Sequence, residues 1–192
     1  ACTDEATGEY LECILSASRR LEEIVNAVSQ FTALALGTPE PVDVRELLEE
    51  SCAWLLDRAR AQGLALDCDV RAEPARLVLD RTLMSTALHE ILENSLEAMG
   101  SGSGRVAVRG SKGVSTYLFV FSDNGAGITQ EHLPYLTDPF FTTKAVGVGM
   151  GLTNVERIMR EHKGTVFISS QPGRGSTVSL EIPLDVTALS EG

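Results

Sequence analysis

Between Asp123 and Leu152 the chain places two glycine-rich runs, Asp123-Asn-Gly-Ala-Gly127 and Gly147-Val-Gly-Met-Gly-Leu152, on either side of Asp138-Pro-Phe-Phe-Thr-Thr-Lys144. Glycine lacks a Cβ, so it accepts positive φ and lets backbone N–H groups approach a ligand, at an entropic cost that a plain loop avoids. Gly147, Gly149 and Gly151 alternate directly ahead of a helical pattern through Leu152, Val155, Ile158 and Met159. The last glycine therefore falls where a helix starts, and free N–H groups there attract anions such as phosphate. The same G-x-G-x-G spacing also occurs in ordinary turns. No Gly-Lys-Ser or Gly-Lys-Thr follows, which excludes a Walker loop, and the run does not open from the strand of a βαβ unit, which excludes a dinucleotide fingerprint. A nucleotide site here requires a different fold.

At 192 residues, with 43% hydrophobic and 22% charged residues, the chain can build one good core plus an arm. A formal net charge of −11 argues against nucleic acid as a partner, because binding a phosphate backbone needs clustered Lys and Arg. It does not argue against ATP, which is bound locally. Cys2, Cys13, Cys52 and Cys68 form no C-x-x-C pair and have no histidine at metal-ligand spacing, so reduced thiols are expected rather than a zinc site. No apolar run approaches the ~20 residues needed to span a bilayer. The expectation is a soluble, cytoplasmic piece, leaving open a membrane attachment of the full-length protein.

Apolar residues at Leu11, Ile14, Leu21, Val25 and Val28, with a second seam through Ala17, Ile24 and Phe31, predict an amphipathic helix from Glu9 to Leu36. Gly37, Pro39 and Pro41 end it and form a short linker. This sets an expected boundary between a helical arm over residues 1–41 and a second domain over residues 42–192. The arm is either packed on its own domain or one helix of a homodimeric bundle.

Asp43 can cap a helix running to Ala61, and Leu64 to Val70 alternates as a strand. Leu77–Leu79 is a short apolar run, followed by a long amphipathic helix from Asp80 to Met99. Strands are expected over 105–109, 116–122, 165–169 and 176–182, with a helix over 152–162. The sum is an α+β chain, a two-layer α/β sandwich with a mixed sheet covered on one face by helices and preceded by the helical arm.

On the long helix, Glu90 and Asn94 stand four apart and share a face. A carboxylate and a carboxamide so placed could hold hydrated Mg²⁺, which prefers oxygen ligands, or could belong to a merely solvated face. Asp123 ends a strand above Gly125 and Gly127, where it either accepts a hydrogen bond from an exocyclic amine such as that of adenine or simply forms an Asp-Asn-Gly turn.

Taken in order, Glu-x-x-x-Asn on a helix, Asp-x-Gly-x-Gly after a strand, Phe-Phe-Thr-Thr-Lys, and Gly-x-Gly-x-Gly at a helix start closely resemble the catalytic ATP-binding domain of two-component sensor histidine kinases, in the nitrogen-regulator-like subgroup. The resemblance covers roughly Val42 to Leu184. It implies the Bergerat-type ATP-binding fold, with ATP and Mg²⁺ as cofactors. Asn94 would be the metal ligand, with Glu90 its catalytic helix-mate orienting water or metal. Asp123 would read the adenine amine, with Gly125, Gly127 and Ile128 shaping the base pocket. Phe140 and Phe141 would anchor a mobile lid. Thr142, Thr143 and Lys144 would lie beside the phosphates, with Lys144 placed to spread charge developing on the γ-phosphate. Gly147, Gly149, Gly151 and Leu152 would form the lid's return and the phosphate-facing helix start. Ser176 and Thr177 resemble the family's last glycine motif, behind the base.

The resemblance also implies that the arm is the second helix of a dimerisation and phosphotransfer hairpin. The γ-phosphoryl would pass to a histidine of that hairpin in the chain's own dimer, then to the aspartate of a response-regulator receiver domain. The chain departs from the pattern in one respect: its histidines, His89, His132 and His162, all lie outside the arm, which puts the expected acceptor upstream of Ala1. The rivals are an ATPase of the wider gyrase, mismatch-repair and heat-shock chaperone fold, in which the helix glutamate activates water, and a nucleotide-binding dimer scaffold.

Overall fold

The computed structural model describes residues 37–100, 103–144 and 147–184, together with scattered helical positions between Ile14 and Ser29. The rest of the expected arm helix lies outside the described residues. Seven strands and three helices follow in the order β1 (Glu40–Asp43), α1 (Val44–Ala61), β2 (Leu66–Ala72), β3 (Arg76–Leu79), α2 (Arg81–Ala98), β4 (Gly104–Lys112), β5 (Thr116–Asp123), α3 (Gly151–Glu161), β6 (Thr165–Gln171) and β7 (Gly175–Pro183), with a 3₁₀ turn at Leu133–Tyr135.

β1 and β3 pair antiparallel, and the main sheet runs β2-β4-β5-β7-β6. Its β2–β4 pair is parallel and the other neighbours are antiparallel, so the sheet is mixed, as expected. One face carries Val106, Val108, Tyr117, Phe119, Phe121, Leu180 and Ile182, all buried under the helices. α1 turns Val44, Leu47, Leu48, Cys52 and Leu55 inward, and α2 turns Leu83, Met84, Leu88, Ile91 and Leu92 inward. This is the two-layer α/β sandwich that the helix and strand periods predict.

Caps fix the helix starts. Asp43 accepts from the N–H groups of Arg45 and Glu46 at 3.0 and 3.3 Å, and Asp80 accepts from Leu83 N–H at 2.9 Å. Each such cap contributes about 1 kcal/mol. Cys52 and Cys68 are free thiols.

Two expectations are corrected. Glu40 and Pro41, read as linker, pair with Leu79 and Val78 in β1. Four residues are too few to show an alternating pattern, and a proline is tolerated at an edge strand. Strand β4 extends past Arg109 to Lys112, because Gly110 makes room for Tyr117, whose hydroxyl oxygen would lie 2.5 Å from an added Cβ. That hydroxyl donates to Glu73 O at 2.7 Å.

His162, 3% exposed at the end of α3, joins this helix to the start of α2. Its Nε2 accepts from Asp80 N–H at 3.0 Å and its Nδ1 donates to Ile158 O at 2.7 Å. His162→Ala would strand a buried backbone donor and open a cavity, so the urea midpoint should fall by the equivalent of about 2–4 kcal/mol. Loss of under about 0.5 kcal/mol would show that water replaces the ring.

Candidate functional site

The C-terminal end of β5, the last turns of α2, the start of α3 and the start of β7 converge. Asp123 is the centre of the first half of the site. Its Oδ1 accepts from Gly125 N–H at 2.8 Å and from Ser176 N–H at 3.2 Å, while Oδ2 has Ser95 Oγ at 3.5 Å. One oxygen is thus saturated by backbone and the other is only weakly engaged. Burial pushes the Asp123 carboxyl above the usual carboxylate range, against the Gly125, Ser176 and Ser95 hydrogen bonds that favour its charge.

The glycines around Asp123 make their close approaches to protein. A Cβ on Gly125 would lie 2.7 Å from the Ala98 side chain, and one on Gly127, at φ +70°, would lie 2.0 Å from Gln171 O. Ser170 braces the same corner by accepting from Ile128 N–H at 2.8 Å and donating to Gly175 O at 2.9 Å. Ser176 joins it, 3.0 Å from Ser170 Oγ. Thr177 points to the opposite face of β7 by strand alternation and pairs with Ser122 Oγ at 3.0 Å. The structure therefore gathers Ser176 with Asp123 and turns the Thr177 side chain away. A cavity of about 530 Å³ opens beside Asp123 and is also lined by Gln130, Ser170, Arg174, Ser176 and Thr177, within the size range of small-molecule sites.

The second half of the site lies along α2. Glu90 is half-buried, and desolvation raises its carboxyl against an Asn154 hydrogen bond and the nearby Lys144 charge, which favour ionisation. Lys144 Nζ donates to Asn94 Oδ1 at 2.7 Å and also to the Glu97 carboxylate. α3 begins against these groups: a Cβ on Gly151 would lie 2.6 Å from Glu90 Oε2 and 3.6 Å from Asn94 Nδ2. Its N-cap, Met150, makes no side-chain hydrogen bond, so the first-turn amides keep their outward-pointing donors.

The remaining expected residues distribute around this end. Phe141 packs on His132 and Tyr135 at ring separations of 5.7 and 5.8 Å, whereas Phe140 is 53% exposed at φ +67°. Phe141 is the ring that packs here, while Phe140 is tied through its backbone, its N–H donating to Gly149 O at 3.1 Å. Thr142 Oγ1 accepts from Lys144 N–H at 3.1 Å, and Thr143 is exposed. Gly149, at φ +73°, approaches Phe141 O, and Gly147, at φ +120°, has open space around it. Leu152 packs partly buried against the core.

The sequence reading missed Ser95, Glu97, Asn154 and Ser170. Glu97 was within reach of it, being three residues beyond Asn94 and seven beyond Glu90 on one helix face. Asn154, three residues beyond Gly151, shares that glycine's side of α3 and is 6% exposed, with Oδ1 lacking a hydrogen-bond partner. Ser95 and Ser170 carried no signal.

A mixed sheet backed by helices, with a half-buried acid at a strand end and a glycine-bounded helix start facing a Glu/Asn helix, defines a nucleotide-binding α/β sandwich. Residues 79–186 match the family described as histidine kinase-, DNA gyrase B-, and HSP90-like ATPase, and the chain belongs to that family. Its relatives lie on the sensor-kinase side. Over 95% of its length it is 26% identical to sporulation kinase B of Bacillus subtilis, and over 88% it is 29% identical to sensor histidine kinase ZraS of Escherichia coli. Over 89% it is 32% identical to nitrogen regulation protein NtrY of Azorhizobium caulinodans. The chain spans 42%, 36% and 23% of those relatives' own lengths. Among solved structures, a mycobacterial sensor histidine kinase, MprB, superposes with a TM-score of 0.64 at 25% identity, over 75% of this chain and 97% of that one.

Proposed function

We propose that this chain is the catalytic portion of a sensor histidine kinase that binds Mg·ATP and transfers the γ-phosphoryl to a histidine of a helical hairpin, for relay to a response-regulator aspartate. The observation that carries the base-reading part is Asp123, a half-buried carboxylate with one oxygen saturated by backbone donors and the other left for an exocyclic amine. The phosphates would run from there towards the Gly151 helix start and Lys144. Lys144 would spread charge on the γ-phosphate as it transfers, and Glu90 would orient the attacking group.

The residues present fit a magnesium ion. Asn94 Oδ1 already takes an ammonium, Glu90 shares its face of α2, and hard oxygen donors suit Mg²⁺. When bound, the ion supplies charge neutralisation on the phosphate oxygens. Asn94 would hold it, with Glu90 alongside.

Residues 1–41 would be the second helix of the hairpin with its linker and residues 42–192 the ATP-binding domain, with β1 beginning two residues before that division. Exposed Ile14, Leu21 and Val25, seven and four residues apart, support a homodimer through the arm. A solved histidine kinase of the same fold is in complex with a response regulator protein, at 23% identity and a TM-score of 0.71, which supports a receiver domain as partner. A cytoplasmic location accords with the finding that, among the described residues, no helix is long and apolar enough to cross a membrane.

Calorimetric binding of a non-hydrolysable ATP analogue with and without Mg²⁺, followed by ATP and a hairpin bearing a histidine, tests this. Acid-labile phosphate on the hairpin is expected; phosphate released only to water would make the protein an ATPase. Asn94→Ala should reduce the gain in affinity that Mg²⁺ confers by about tenfold to a hundredfold, and an unchanged gain would remove Asn94 from the metal site.

A further inference from the structure

The contact between Lys144 and Glu97 has no place in the nucleotide reading, which sends Lys144 to the phosphates. Lys144 nevertheless lies across α2, its ammonium shared between Asn94 Oδ1 and the Glu97 carboxylate. Both side chains of the pair are nearly half exposed, at 43% and 45%. Glu97 shares its side of α2 with Glu90 and Glu93. Glu93 is held by Arg58 at 3.1 Å, and Glu90 is half-buried against Asn154 and Gly151. Glu97 is thus the carboxylate of this row that Lys144 neutralises.

We propose that Glu97 is a positioning residue that parks Lys144 on the metal ligand Asn94 until Mg·ATP arrives, so that binding is a cation exchange at Asn94 Oδ1. This rests on the nucleotide reading above. With no nucleotide, the tethered ammonium satisfies the carboxamide oxygen and a carboxylate that would otherwise repel a triphosphate. On loading, Asn94 would hold the metal through its side-chain oxygen, and Lys144 would be released to reach the phosphates. Loading must therefore break the Lys144–Glu97 pair, and Glu97→Gln, which removes the anchor but neither Asn94 nor Lys144, lowers that barrier.

Two measurements separate the parking from the reading it rests on. In nucleotide-free protein, the rate of amine acylation at Lys144, followed by mass spectrometry, should rise about threefold in Glu97→Gln, the scale of a half-exposed ion pair. Rates at Lys112 and Lys163 should stay fixed, which a general loosening of the fold would not allow. Equal Lys144 rates in the two proteins would overturn the parking. Calorimetry should then show the Mg-bound ATP analogue binding about threefold tighter to Glu97→Gln than to wild type; unchanged or weaker binding would overturn the exchange, the latter making Glu97 a metal ligand. A wild-type chain that binds no analogue yet shows the acylation difference would sink the nucleotide reading and leave the parked lysine standing.

Discussion

Gly175→Ala should be severely damaging for a single added methyl group, lowering stability by about 3–5 kcal/mol as read from the urea midpoint. Gly175 sits at φ +87°, and its added Cβ would lie 2.0 Å from Asp123 O and 3.0 Å from Asn124 Cα. Both obstacles are backbone, so no rotamer change relieves them. Left-handed strain costs about 1–3 kcal/mol and overpacking about as much again. The damage also falls on function. The β5 end and the β7 start would have to separate, and the Ser176 N–H bond to Asp123 Oδ1, 3.2 Å long, depends on their closeness. Analogue binding should therefore fall even at temperatures where the fold survives. Gly173→Ala is the control. It has positive φ, +72°, but nothing within 4 Å, so it should cost about 1 kcal/mol from conformation alone. Equal losses at the two positions would mean that strain, and not the approach to Asp123, is what Gly175 relieves.

That contrast shows what was readable in the chain and what was not. The glycine runs pointed to close approaches, and of the three alternating glycines at the helix start Gly149 and Gly151 make them, to protein, while Gly147 has open space around it. What they approach was not legible. Gly127 meets Gln171, Gly149 meets Phe141 and Gly175 meets Asp123, partners that lie 8 to 52 residues away in sequence and are fixed only by the sheet order. The α1 and α2 helices were legible because eighteen-residue apolar patterns and Asp caps are local signals. β1 was not, since its four residues acquire meaning only opposite Arg76–Leu79. Ser176 and Thr177 are adjacent in sequence, and only strand register decides that one braces Asp123 while the other faces Ser122 across the sheet's far side.

Asp123→Asn should leave the fold intact or more stable while weakening ATP-analogue binding by about 10- to 100-fold, the worth of a hydrogen bond to a charged group. The asparagine Oδ1 can accept from Gly125 and Ser176 N–H as the carboxylate does, and its amide can donate to Ser95 Oγ, so no buried group is orphaned. The amide nitrogen, however, replaces the oxygen that would accept from the adenine amine. A guanine analogue, which presents a carbonyl there, should lose far less or gain, so the preference for adenine narrows; equal losses for both bases would refute the assignment. The stability gain follows from burial, which favours the neutral carboxyl and holds the folded pKa of Asp123 above its unfolded value. The contribution is fully present below the unfolded pKa and is lost as pH rises through the folded one. At neutral pH the ionised, desolvated carboxylate is a net cost that the asparagine does not carry, so the fall in stability with rising pH should be shallower in the variant. Binding runs the other way: the carboxylate must be ionised to accept the amine, so wild-type affinity should weaken on acidification sooner than for an exposed aspartate. The variant's affinity should lack that dependence. The same partial burial that makes Asp123 expensive to the fold would make its weakly engaged oxygen selective for the base.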